Sequence, residues 1–164
     1  MPNRNWIFRA KLIAPDHPGL SGRTLVPGEP IESYDTGLLV NGARLPVDAK
    51  VGSRVSLSVR TKRPGWTYQL ATSLTAGVVE YNHRFLPLGD DALLWMSMSN
   101  TLASAFQSYS GSLDASGNAS ATIVIPNMPE LSGIELRTAF MAFDISDPGA
   151  TAEFSNAVVT KIVR

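Results

Sequence analysis

The strongest constraint on this chain is an alternation of apolar and polar side chains with a period of two, which returns from near its first residues to its last. Successive side chains of an extended strand point to opposite faces, so such a run describes one buried face and one solvated face; a helix cannot satisfy it. Trp6, Phe8, Ala10 and Leu12 alternate with Arg9 and Lys11, Val55, Leu57 and Val59 with Ser56, Ser58 and Arg60, and Trp66, Tyr68 and Leu70 with Thr67 and Gln69. Ala121, Ile123 and Ile125 alternate with Thr122 and Val124. At the end, Val158, Thr160 and Ile162 face away from Ala157, Val159, Lys161 and Val163, and Gly133 to Ile145 reads as one longer strand.

Turn-forming clusters separate these runs: Arg63-Pro64-Gly65, Leu88-Gly89-Asp90, Asp114 to Asn118, Pro126 to Pro129, and Asp147-Pro148-Gly149. Short strands punctuated in this way belong to sandwiches and barrels. The expected fold class is all-β, a mainly antiparallel β-sandwich, jelly-roll-like or immunoglobulin-like. At 164 residues the chain has the length for one core, so 1–164 is expected to be a single domain. The turn Asp114–Asn118 should join 106–113 to 119–125 as a hairpin, with Gly117 at positive φ and Asp114 accepting bonds from the turn backbone.

Two stretches depart from the rhythm. Leu94, Met98, Leu102, Ala105, Phe106 and Tyr109 recur at helical spacing, but Leu93 to Met98 also fits a buried strand followed by a short helical turn. Asn100 and the neighbouring serines weaken a long helix, and strand-then-turn is the expectation. Residues 14–30 hold Pro15, Pro18, Pro27 and Pro30 with Gly19, Gly22 and Gly28, and read as a linker. Residues 1–13 then form a tethered N-terminal strand. Its apolar face, Trp6, Phe8, Ala10 and Leu12, is able to pair with a neighbouring subunit and make a homo-oligomer, or to serve as an ordinary first strand in its own sheet.

Few classes of chemistry fit. Lys plus Arg and Asp plus Glu are both 14, which leaves no basic footprint for nucleic acid, and no apolar run has the length for membrane insertion. Cysteine is absent, and His17 and His83 are isolated, so neither a catalytic triad nor a zinc site is expected. Asp90 and Asp91 point to opposite faces if extended, and read as a turn that caps the next segment; calcium on them, or on Asp144 with Asp147, is the sharper alternative. No cofactor and no enzymatic activity are expected. A glycan is a possible partner through exposed aromatics. Among Trp66, Tyr68, Tyr81, Trp95 and Tyr109, the first two share a core-like face with Leu70 and Leu74, which leaves Tyr81 and Trp95 as the carbohydrate-contact candidates.

The cadence of residues 65–164 carries a resemblance. PGWTYQLATSL, then FLPLGDDALL, FQSYSGSLDASGNASATIVIPN, GIELRTAFMAFD and FSNAVVTKIV together resemble the uncharacterised C-terminal β-sandwich modules of exported planctomycete and myxobacterial proteins. The acids Asp90 and Asp91 after Pro-Leu, the LDASGNA hairpin and the Ser155-Asn156-Ala157 strand are its most telling elements. The resemblance implies an extracellular or cell-surface location and a non-enzymatic structural or interaction role, including a self-assembling surface or filament subunit, and it brings no catalytic residues. The chain departs from those modules at its front, since they follow a larger extracellular protein.

Overall fold

The computed structural model describes residues 37–81, 84–147 and 152–164, the side chains of Tyr81 and Arg84 excepted. The segment carrying Trp6, Phe8, Ala10 and Leu12, its tether 14–30 and both histidines lie outside these residues. In chain order the strands are β1 (Gly37–Val40), β2 (Val47–Lys50), β3 (Arg54–Arg60), β4 (Thr67–Ser73), β5 (Val79–Tyr81), β6 (Arg84–Leu86), β7 (Phe106–Gln107), β8 (Ser110–Ser112), β9 (Asn118–Val124), β10 (Glu135–Phe143), β11 (Glu153–Phe154) and β12 (Val158–Val163). One helix, α1 (Ala92–Met98), lies between β6 and β7, and a 3-10 turn covers Pro129–Leu131.

The strands build two packed sheets and a small hairpin. Among the described residues the first sheet has the order β1-β3-β9-β7, the second β2-β12-β10-β4-β8 with β11 also beside β10, and β5 pairs with β6. Every pairing among the described residues is antiparallel except β2 with β12. At both open sides the chain changes sheets. β1 pairs with β3, then turns through Asn41 and Gly42, both at positive φ, and returns as β2 against β12. On the opposite side β7 pairs with β9, bends at Ser108 (φ 56°) and continues as β8 against β4. Among the described residues each side is thus closed by a segment that serves both sheets, and the edge strands there are two to four residues long. The result is an immunoglobulin-like β-sandwich.

The alternation read from the sequence fills the space between the sheets. Val55, Leu57 and Val59 of β3 and Ile123 of β9 meet Tyr68 and Leu70 of β4, Phe140 of β10 and Val158 and Ile162 of β12, all buried. Burial of each large aliphatic side chain contributes about 1.5–3 kcal/mol. Polar groups also enter this core. Thr72 Oγ1 lies 2.9 Å from both Thr138 Oγ1 and the Tyr109 hydroxyl, and burial pushes the Tyr109 phenol well above its ordinary pKa against the hydrogen bonds it makes to the two threonines. Thr160 Oγ1 is buried without a partner among the described residues.

β11 and β12 act as one strand with an extra residue. Met141 pairs with Phe154 while Thr138 pairs with Val158, so three residues on one side face two on the other. At this bulge Ser155 Oγ accepts the Phe140 N–H at 2.8 Å and the Ser155 N–H donates to Phe140 O at 2.9 Å. Asn156 then reaches the first sheet, where its Oδ1 lies 3.4 Å from the Leu38 N–H.

Two sequence expectations need correction. Leu93 to Met98 is not a strand: α1 forms because Asp91 caps it and Leu94 and Ser97 share one buried face, and it stops before Asn100, at φ 61°. The expected hairpin partner of 119–125 is also only partly right. The Asp114–Asn118 turn forms, with Gly117 at φ 77° and Asp114 Oδ1 accepting the Ser116 and Asn118 N–H groups, but the preceding strand divides. β7 stays with β9, whereas β8 crosses to β4.

Candidate interaction surface

Between β4 and β7 the chain leaves the sandwich for an insertion made of the β5–β6 hairpin and α1. It rests on the outer face of the second sheet, where Ala71 and Ala139 sit directly opposite each other. Two side chains this small allow close approach, and Leu86, Leu88 and Leu94 fill the space above them, with Val79 and Met98 at the margin. Gly89 is packed as closely, since a Cβ there would fall on Thr75.

Side chains of the insertion finish the free edge of β4. β8 covers that edge only up to Gln69, and Tyr109 O then accepts the Leu70 N–H at 2.7 Å. Ser97 Oγ accepts the next donor along this edge, the buried Thr72 N–H, at 2.9 Å. Beyond it, Asp91 Oδ2 accepts the N–H groups of Leu74 and Thr75 at 2.8 and 3.0 Å and the Thr75 hydroxyl at 3.0 Å. Its other oxygen accepts the Leu94 N–H at 3.1 Å, which is the N-cap bond of α1. Partial burial pushes the Asp91 carboxyl up, but the donors from Leu94, Thr75 and Leu74 together outweigh it and hold the group below the usual carboxylate value.

The segment from the end of β4 through α1 exposes most of the large apolar side chains that stand in solvent among the described residues. Leu74, Val78, Phe85, Trp95 and Met96 stand exposed here, against Leu45, Met128 and Ile145 in the rest of the described chain. Trp95 is 54% exposed, and its indole N–H donates to Asp90 Oδ1 at 2.7 Å, which fixes the ring beside a carboxylate. Phe85 stands opposite Glu80 on the hairpin and is 59% exposed.

Of the carbohydrate-contact candidates, Trp95 is therefore at the surface, and the side chain of Tyr81 lies outside the described residues. Trp66 is half-buried against the core beneath the Arg63 guanidinium, whose carbon is 4.9 Å from the ring centroid while its Nε pairs with Glu153 at 2.7 Å. Tyr68 and Tyr109 are buried. Leu74, expected to share their core face, lies past the end of β4 and is exposed. Phe85, Val78 and Met96 carried no sequence signal: three-residue strands are too short to display a period, and Met96 lies within a stretch that reads as buried strand.

Three of the four carboxylates considered for calcium accept protein donors. Asp90 holds the Trp95 indole, Asp91 its backbone amides and the Thr75 hydroxyl, and Asp144 accepts both the hydroxyl and the N–H of Ser146. Among the described residues no three His, Cys, Asp or Glu side chains come together as a metal site. No helix among them is long and apolar enough to cross a membrane.

No family model and no curated protein matches the chain. Solved structures do resemble it. The Salmonella enterica SafA pilin in complex with the SafB chaperone shares 14% identity at a TM-score of 0.43, over 77% of this chain and 55% of that one. The chaperone-tip adhesin complex of CFA/I fimbriae shares 9% identity at 0.44, over 79% and 57%, and the D0-D1 domain of Intimin 12% at 0.36, over 76% and 47%. The chain spans about half the length of these structures. The immunoglobulin-like assignment rests on this chain's own strand order, and none of the three brings a partner or an activity with it.

Proposed function

We propose that this chain is a non-enzymatic extracellular interaction module that assembles with copies of itself through the β5–β6–α1 insertion. The observation that carries the proposal is the concentration of exposed large apolar side chains on that insertion, above a base held by Asp91 and Ser97. Exposed apolar clusters on folded domains mark contact surfaces, because their removal from water is the main driving force for association. A formal charge of zero imposes no net long-range repulsion between copies. The location is supported by the resemblance of residues 65–164 to modules of exported proteins.

A competing route to the same assembly is exchange of the strand around Trp6, Phe8, Ala10 and Leu12. Among the described residues the two sheets are built by strands between Gly37 and Val163. Light scattering on the full chain, on a Phe85→Ser/Trp95→Ser variant and on a chain lacking residues 1–13 separates the routes. The full chain is expected to have an oligomeric mass, the double variant the mass of one chain, and the truncation no change. A full chain that is monomeric up to millimolar concentration overturns self-assembly, and loss of assembly on truncation alone moves it to strand exchange.

Glycan binding is the second reading, and it has its own observation: the half-exposed Trp95 ring is fixed by Asp90, as a stacking platform for a sugar would be. Glycan-array binding lost in Trp95→Ala supports it, and a blank array with the full chain removes it.

A further inference from the structure

The outer face of the first sheet carries a groove at the end opposite the β1–β2 turn. β3 and β9 place Ser58 opposite Ser120 and Arg60 opposite Asn118, and the loops after β3 and before β9 raise Lys62 and Ser116 as walls. It is an open depression of about 520 Å³. This lies within the range of sites for small ligands, although its lining is far more polar than theirs.

Its walls are fixed. Gly117 O accepts both the N–H and the hydroxyl of Thr61, at 2.8 and 3.2 Å, and Thr61 Oγ1 in turn accepts the Arg63 N–H at 3.0 Å. A Cβ at residue 117 would stand 2.5 Å from Thr61 O, so this close loop contact requires glycine there.

Its charge is uncompensated within the described residues. Arg63 faces Glu153 and Trp66, and Asp114, the nearest acid in the turn, is directed back at the N–H groups of Ser116 and Asn118. Arg60 and Lys62 have no carboxylate partner among the described residues.

We propose that this groove binds an anionic saccharide, with Arg60 and Lys62 engaging a carboxylate or sulfate and Ser58, Ser116, Asn118 and Ser120 engaging ring hydroxyls. Hydroxyl and amide side chains donate and accept together, which suits a polyhydroxylated ligand. A guanidinium and an ammonium lining one groove suit an oxyanion, with which they make charge-assisted contacts that a neutral sugar cannot return. The absence of an aromatic platform makes the site weak for one sugar unit and dependent on charge. The whole-chain charge balance disfavours a general polyanion surface. The site is separate from the Trp95 surface, so the two stand or fall independently.

Calorimetric titration of the full chain tests it with four probes: a heparin-derived tetrasaccharide, a trigalacturonate, maltotriose and inorganic sulfate. One or both acidic saccharides should bind, more weakly as salt is raised, with maltotriose silent and sulfate much weaker. Which acidic probe prevails distinguishes sulfate ester from uronate. Arg60→Ser with Lys62→Ser should weaken binding by about tenfold or more through loss of both charge-assisted contacts, whereas Trp95→Ala should leave it unchanged. Both substituted residues are exposed, and circular dichroism verifies that the variant is folded. No binding of either acidic saccharide, binding unaffected by the double substitution, or equal binding of a single-stranded oligonucleotide of matched charge overturns the proposal.

Discussion

Between the two sheets, strand alternation puts Val55, Leu57, Val59, Leu70, Ile123 and Phe140 into one apolar space, and backbone ladders satisfy most of the polar groups around it. In the β5–β6–α1 insertion a small apolar cluster of Ala71, Leu86, Leu88, Leu94 and Ala139 is supplemented by side chains doing what a ladder does elsewhere: Ser97 and Asp91 complete the edge of β4, and Asp90 holds Trp95. The first arrangement depends on area removed from water and is indifferent to the protonation of a carboxylate. The second depends on one carboxylate with four donors, and its outer surface remains apolar. Stability should therefore reside in the sandwich and sensitivity to conditions in the insertion.

The largest effect is expected where the sandwich is cut. Leu57→Ala removes a fully buried side chain from one of the two inner strands of the first sheet and should lower the unfolding free energy by about 2–5 kcal/mol, as transfer and cavity terms add. Denaturant unfolding monitored by far-ultraviolet circular dichroism measures this. A loss below about 1 kcal/mol would show that the core relaxes around the gap and is less tightly packed than the geometry indicates.

Asp91→Ala comes next and should act locally. It removes an N-cap, worth about 0.5–2 kcal/mol, and leaves the Leu74 and Thr75 amides without their acceptor. Hydrogen exchange should accelerate at Leu74, Thr75 and Leu94 while β3 and β9 remain protected. Acid should mimic the substitution. The Asp91 carboxyl is held below its unfolded value, so its contribution is fully present above about pH 4 and is lost as pH falls through the lower folded value. Asp91→Asn keeps oxygen acceptance at the cap but should abolish this acid dependence. Equal acid sensitivity in the strands of the core would erase the contrast between the regions.

The same contrast explains what is legible in the sequence. β3, β4, β9, β10 and β12 can be read because each is long enough to repeat its period against a buried face, and the Asp114–Asn118 turn because its chemistry is local. α1 reads as a strand because seven residues allow only two turns of evidence, and because what decides them, Asp91 reaching Leu74 and Leu94 at once, is a tertiary contact. The division of 106–112 between two sheets leaves no mark in composition; it depends on Ser108 accepting a positive φ. Asp90 and Asp91 are visible as a capping pair, while the use of Asp90 to hold Trp95 is not. That Arg60 and Lys62 line a groove while Arg63 is neutralised by Glu153 emerges only once distant strands are paired.

A smaller effect of opposite sign should come from Thr160→Val. The Thr160 hydroxyl is buried without a partner among the described residues, and valine preserves the shape and the β-branched preference for a strand. Removing an unsatisfied buried hydroxyl should raise stability by about 1 kcal/mol. A decrease of that size instead would mean that the hydroxyl has a partner within the sandwich, and that the polar group around Thr72, Thr138 and Tyr109 extends to β12.

Trp95→Ala should have the smallest effect on folding and so defines the comparison most sharply. The ring is 54% exposed, and its one hydrogen bond, to Asp90, lies at the surface, so the unfolding free energy should move by less than about 0.5 kcal/mol. Its effect on association should be much larger, because an aromatic side chain at a contact loses most of its apolar area to the partner, and truncating such anchors commonly costs about 2 kcal/mol or more. Thermal unfolding at micromolar concentration and light scattering at high concentration read the two quantities on the same variant. If stability falls with Trp95→Ala while assembly persists, the ring supports the insertion from outside and the contact surface lies elsewhere. If assembly is lost at unchanged stability, the insertion is a platform whose exposed face serves the partner and leaves the fold to the sandwich beneath.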